Sequence, residues 1–368
     1  MLSKERLQQR FLEMIQVYSP SRREGEMCRW LVDYLSQRGL EVSMDRAGEA
    51  YGGDAGNVVA HLKGTLAGAE PICFCAHTDQ IEPCRDIHPV LEGKYIKTDG
   101  TTTLGGDDKG GIAAILEALE DVLESGAPHP DIYLLFTVTE EQLMLGCRNM
   151  DDTLLPCRRV LVADAAGDCG AIEYQAPGGL AIEATFHGKA AHAGLAPENG
   201  VSAVVMLSRA IARMKTGRID HETTSNIGSI TGGGANNIVP DTASFTAEAR
   251  SHSAEKLEQQ RLHFQQCCLE AAEEMGGTCD FRCQQTYPPF RADPEGELSR
   301  QACAAMRAEG VEPRLEITGG GSDANFLAAR GYECLILSVG MEQVHATNER
   351  LNMDELWKTT RVLRRMMG

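Results

Sequence analysis

The sequence predicts an α/β protein: a catalytic domain on a mostly parallel sheet with helices on both faces, plus a smaller inserted α+β domain. Three observations carry that expectation. Short, continuous apolar runs at 71–76, 131–138 and 160–163 have the character of strands buried on both faces. A helical pattern at 112–124 lies between the first two, so strand and helix alternate. From about residue 176 to 287 the pattern shifts to half-exposed strands and helices, and the alternation then resumes.

Residues 1–40 carry Leu7, Phe11, Ile15, then Trp30, Leu31, Tyr34 and Leu35 at helical spacing, broken by Ser19-Pro20-Ser21. Residues 57–62 read as a strand. The run 71–76 delivers His77-Thr78-Asp79 at its end. Gly110-Gly111 opens the helix at 112–124, the run 131–138 leads to Glu140-Glu141, and 160–163 leads to Asp164. In the middle block, 179–186 alternates apolar and polar residues, as a half-exposed antiparallel strand does. A helix is expected at 200–214, strands at 224–230 and 243–250, and a helix at 254–275, with Tyr287-Pro288-Pro289 as the exit linker. Beyond it come a helix at 297–309, a glycine turn at 319–321, a helix at 323–330, a strand at 334–339 and then His345. The predicted domains are therefore 1–175 with 288–368, and 176–287 between them.

At 368 residues the chain is long enough for about two domains with real cores. Its net charge, 35 − 53 = −18, argues against nucleic acid as a partner, because phosphate neutralisation needs surplus Lys and Arg. No apolar run approaches the roughly 20 residues that span a bilayer, so no membrane partner is expected. The first residues form a charged amphipathic pattern without the features of a signal peptide. Thirteen cysteines are scattered without a C-x-x-C pair, which disfavours a thiolate zinc site and suits a reducing cytoplasm. The glycine runs 232–234 and 319–321 are not followed by Lys-Ser or Lys-Thr, which disfavours a nucleotide site.

The acidic and histidine groups carry the chemistry. Imidazole and carboxylate are ligands for zinc and similar ions. His77 and Asp79 stand two apart on extended backbone, so Asp79 can orient the ring that ligates. Asp107-Asp108-Lys109 sits in a glycine-rich turn opening a helix. Helix capping would account for Asp108; flanking glycines suggest close approach of backbone to an ion, with Asp107 as a bridging carboxylate. Adjacent Glu140 and Glu141 raise each other's pKa unless cations compensate. One can ligate while the other serves as general base. Each group alone has an ordinary reading as a surface residue; five such positions after five apolar segments point to a pair of divalent ions.

The combination HTD, GGDDKGG, TEEQ, an Asp after an apolar strand, and a late VHATNE resembles the dinuclear metallopeptidases that include peptidase T, carboxypeptidase G and the aminoacylases. LGGDDKGG and GGGSDAN bring it nearest the peptidase T-like branch, and the likeness covers nearly the whole chain. It implies that His77, Asp107 and Asp164 hold one metal and that Asp107, Glu141 and His345 hold the other, with a cis peptide between Asp107 and Asp108. It implies Asp79 as the residue orienting His77 and Glu140 as general base. It makes the inserted domain a lid and a dimer contact. There, His192 would stabilise an oxyanion in a neighbouring active site, and Asn237 and Arg250 would hold substrate. Taken without the family, those three read as a surface loop group, a turn residue and a strand end. Ala346 departs from the hydroxyl residue that many relatives place after the last ligand.

The expected activity is amide hydrolysis with two divalent ions, zinc first and manganese or cobalt as alternatives. The preferred substrate is a small peptide with a free N-terminus, in a tripeptidase-like aminopeptidase reaction. An N-acyl amino acid deacylase or a carboxypeptidase is the alternative, and a catalytically silent binding protein a more distant one.

Overall fold

A computed structural model describes the whole chain, Met1–Gly368. It divides into two compact units, Met1–Gln175 with Arg291–Gly368, and Ala176–Phe290.

The first unit is built on one large sheet. At its centre the strands Ile132–Thr137, Ile72–His77, Arg159–Ala166 and Glu333–Glu342 run parallel in that order. Antiparallel strands flank them: Val58–Leu62 and Glu41–Met44 on one side, and Arg350–Asn352, Tyr95–Thr98 and Pro89–Glu92 on the other. Val58, Ala60, Ile72, Phe74, Ala76, Leu134, Leu161, Leu335 and Leu337 point to one face. There they join the core contributed by helices Lys4–Met14, Gly25–Ser36, Gly106–Ser125, Glu297–Ala308 and Met353–Met366. The intervening residues Cys73, Cys75, Val160, Val162, Cys334 and Ile336 are equally buried on the second face. Only short helices, Leu145–Arg148 and Ala324–Ala329, occur on that side, the latter packed against Glu333–Glu342. Both faces are thus covered, but unevenly.

The buried central runs form strands because both faces are apolar and β-branched or small residues fit the pleat. Several elements escape the sequence reading. Asp164 lies inside Arg159–Ala166 rather than after it. The strands Glu41–Met44, Pro89–Glu92, Tyr95–Thr98, Ala171–Ala176, Arg314–Ile317 and Arg350–Asn352 and the final helix were not expected. All thirteen cysteines are free thiols. No helix is long and apolar enough to cross a membrane.

The second unit has its own sheet in the order Gly217–Arg218, Thr223–Gly232, Thr242–Ser251, Gly178–His187, Thr278–Tyr287, antiparallel throughout. Helices Ala203–Arg213 and Ala254–Met275 pack on it, capped by Ser202 and Ser253, around Ile182, Phe186, Met206, Phe245 and Phe264. The strand Thr278–Tyr287 fills the stretch where the sequence suggested only a path to the linker. Its first residue pairs with His187 and its last with Gly179, so both ends of the unit lie on neighbouring strands.

Candidate active site

Strand parity decides where the ligands go. His77 continues the series Cys73, Cys75; Asp164 continues Val160, Val162. Both therefore leave the sheet on its second face, at the carboxyl ends of parallel strands, where open α/β sheets bind ligands. Glu140-Glu141 follow Ile132–Thr137, and His345 follows Glu333–Glu342.

The structure brings all seven predicted residues of this unit together. His77 Nε2 lies 2.8 Å from Asp107 Oδ1 and 3.6 Å from Asp164 Oδ1. His345 Nε2 lies 3.2 Å from Asp107 Oδ2 and 3.1 Å from Glu141 Oε2. One carboxylate thus presents its two oxygens to two imidazoles. His77 Nδ1 faces Asp79, 3.0 Å from its carbonyl oxygen and 3.2 Å from Oδ1. Asp79 also accepts from Glu140 N at 2.9 Å, Glu141 N at 3.2 Å and Ser21 Oγ at 2.7 Å. It therefore positions both the histidine and the acidic pair.

The Asp107-Asp108 peptide is cis. Asp108 groups closely with His77 and Asp164, but its oxygens are taken: Oδ2 accepts from His77 N at 3.1 Å and Oδ1 from Gly111 N at 3.2 Å. Asp108 is thus the capping residue, and Asp107 is the carboxylate open to the cluster. The flanking glycines also have protein neighbours of their own. A Cβ on Gly111 would stand 2.1 Å from the Ala163 carbonyl oxygen, and one on Gly106 would stand 2.9 Å from Glu349 Oε1. They allow the turn to approach its own protein neighbours closely.

Four supporting residues were not singled out from sequence. Glu349 accepts from the backbone N–H of Leu104, Gly105 and Asp107 at 2.7, 3.0 and 3.0 Å, fixing the turn that carries Asp107. Glu24 accepts from Thr139 N and Oγ1, both at 2.7 Å, holding a β-branched residue at φ +54° just before Glu140. Buried Lys109 donates to Val17 O and Gln80 Oε1, and desolvation lowers its ammonium to about 8. Asp323 accepts from Thr137 Oγ1, while its Oδ1 is buried without a partner. The sequence holds one hint: Glu349 and Asp323 fall inside the VHATNE and GGGSDAN segments.

The electrostatics fit divalent cations. Glu140, only 8 % exposed, has its carboxyl pushed well up by burial, with Asp323 and Glu141 adding to it. Burial likewise raises Asp164 and Glu141. Asp107 is also penalised by burial, yet hydrogen bonds from His345 and His77 outweigh it and hold its carboxyl below the usual range. Hydrogen bonds that its ring donates to Asp107 and Glu141 raise His345 to about 10. Two imidazoles therefore offset a larger group of crowded carboxyls, the imbalance that bound cations relieve.

The remaining predicted residues, His192, Asn237 and Arg250, belong to the second unit. His192 Nδ1 accepts from the backbone N–H of Gly194 and Leu195 at 3.2 and 3.1 Å. In the neutral ring that leaves the proton on Nε2 as a donor. His192 forms a bridge with Ile238, and Ala193 N donates to Asn237 O at 2.9 Å, so the His192 and Asn237 loops are joined. Arg250 lies 3.2 Å from Glu248 Oε2.

A parallel sheet with a His/Asp/Glu cluster at its carboxyl edge defines a hydrolase of the metallopeptidase kind. Residues 104–368 match peptidase family M20/M25/M40, and the chain belongs to that family: it is a peptidase, hydrolysing amide bonds. It is similar to the uncharacterized protein YqjE of Bacillus subtilis, 38% identical over 99% of this chain and 98% of that protein. The solved aminopeptidase PepT of Bacillus cereus is 38% identical with a TM-score of 0.96, covering 100% of this chain and 98% of that one. A tripeptidase from Staphylococcus aureus is 34% identical with a TM-score of 0.96 and the same coverage, 100% and 98%. Within the family the kinship lies with the peptidase T-like branch.

Proposed function

We propose that this peptidase is a dinuclear metal-dependent aminopeptidase that removes the N-terminal residue from short peptides, tripeptides foremost. The observation that carries the reading is Asp107, whose two oxygens face His77 and His345 separately beside buried Glu140. His77, Asp107 and Asp164 would hold one ion, and Asp107, Glu141 and His345 the other. Zinc, manganese and cobalt all accept such donors.

Two divalent cations held there would supply Lewis acidity toward an amide carbonyl and toward a water. Glu140 accepts the proton of the attacking water and returns it to the leaving amine, for which its raised carboxyl is suited. Asp79 holds His77 and, through the Glu140 N–H, the base itself. His192, with Nε2–H free to donate, is assigned to the oxyanion, and Asn237 and Arg250 to substrate, Arg250 through a carboxylate. If His192 acts in a neighbouring active site, the enzyme is a homodimer, and sedimentation of the protein and loss of activity on dilution check that. A reducing, cytoplasmic location suits an enzyme with thirteen free thiols.

The test is hydrolysis of one tripeptide in free, N-acetylated and C-amidated forms by the zinc-, manganese- or cobalt-loaded protein. Cleavage that requires a free amine establishes the aminopeptidase. Cleavage that survives acetylation moves the protein to the deacylase or carboxypeptidase reading. No cleavage of any form with metal bound would mean a non-peptide substrate or a binding role.

A further inference from the structure

We propose that Glu173 receives the free N-terminal ammonium of the substrate and so makes the enzyme select unblocked peptides; this rests on the aminopeptidase reading above. Glu173 lies in the strand Ala171–Ala176 and pairs with Ile336, whose other neighbour is Val162. Asp164 stands two residues beyond Val162, so Glu173, Ile336 and Asp164 share the second face of the sheet. With strands about 4.8 Å apart and about 3.3 Å of rise per residue, the Cα atoms of Glu173 and Asp164 are ~12 Å apart. Side chains reaching inward from both positions line one cavity of about 210 Å³, together with Asp107, Glu140, Glu141 and His345.

Glu173 has no obvious task within the protein. It is half-buried, hydrogen-bonds Thr318, and has an acid, Glu316, as its charged neighbour on the adjoining strand. Burial raises its carboxyl, and no lysine, arginine or histidine offsets that. A cation is what this environment lacks. In a peptide the terminal nitrogen stands about 2.5 Å from the carbon of the first carbonyl, two bonds away. A carboxylate that binds it by a charge-assisted hydrogen bond of about 2.8 Å must therefore stand roughly 5 Å from the carbon under attack. A carboxylate across a residue-sized cavity from the ligand cluster meets that requirement. An acetylated or amine-free peptide would leave Glu173 facing an apolar or blocked group, and such a mismatch is a strong source of discrimination.

The experiment compares wild type, Glu173→Gln and Glu173→Asp on a tripeptide and on its analogue lacking the terminal amine, with metal content and melting temperature recorded for each protein. Wild type is expected to favour the free amine by about 100-fold or more in kcat/KM. In Glu173→Gln that preference should collapse by about tenfold or more, chiefly through KM for the free peptide, with the slow rate on the amine-free analogue unchanged. Glu173→Asp should recover part of it. Equal losses on both substrates would mean that Glu173 only braces the 318–321 turn, and an unchanged preference would mean that the amine is held elsewhere; either overturns the assignment. Wild type that cleaves the N-acetylated or amine-free peptide as fast as the free one would instead defeat the aminopeptidase reading itself.

Discussion

Glu140 is buried, raised by its surroundings, and tied through its N–H to Asp79 rather than to a basic partner. Replacing it with Ala should lower kcat by about 10²–10⁴-fold, the usual contribution of a general base. KM and bound metal should change little, and near wild-type turnover would refute the role. Glu24 offers a pH signature. Burial first, and Asp79 second, push its carboxyl from 4.5 to about 7. The folded protein then keeps a proton that the unfolded chain releases, so this group's contribution to stability falls as pH rises from 4.5 to about 7, by up to ~1.4 kcal/mol per pH unit. In melts of the chelated protein, Glu24→Gln should gain on wild type between about pH 5 and pH 7.5; a constant difference would contradict the shift. His77, Glu140, Glu141, Asp164 and His345 were legible because each follows, or nearly follows, an apolar run, and Asp107 because it sits in a glycine-rich turn opening an apolar helix. Glu24, Glu173, Asp323 and Glu349 were not. A buried acid and a surface acid look alike in one sequence, and Glu24 meets its partner Thr139 across 115 positions.

Turns and strand ends turn these residues into a site. The turn before the helix Gly106–Ser125 is held by Glu349 through three backbone N–H groups. Glu349→Ala should therefore reduce metal affinity by about 10–100-fold, as loss of a supporting partner does, with Glu349→Gln intermediate. Competition against a chelator measures this, and unchanged affinity would show that the turn holds its shape unaided. The same scale explains what sequence reading caught and missed. Central strands announce themselves as apolar runs. Flanking strands such as Arg314–Ile317 are exposed along their length and carry no such pattern. The final helix hides two core positions under Thr359 and Thr360, whose hydroxyls are satisfied by Ser338 O and Leu356 O at 2.7 and 2.8 Å. Buried hydroxyls interrupt the hydrophobic period without interrupting the helix.

Across the whole chain, the two units have separate cores. All the residues assigned to metal lie in the first. Zinc, manganese or cobalt added to chelated protein at about 100 times Kd should stabilise it by about 2.7 kcal/mol for each site filled, and calorimetry should place the gain in the first unit's transition. A shift confined to the other transition would contradict the ligand set. The second unit is one continuous segment, Ala176–Phe290, and expressed alone it should melt cooperatively; a noncooperative, molten chain would show that it depends on its host. Its first strand begins beside the end of its last, with Gly179 paired to Tyr287. Entry and exit are therefore only about one strand spacing apart, ~5 Å. A gap that narrow can be closed by a short turn, so in evolution or by design this segment could be lengthened, exchanged or removed while every register of the host sheet stays as it is.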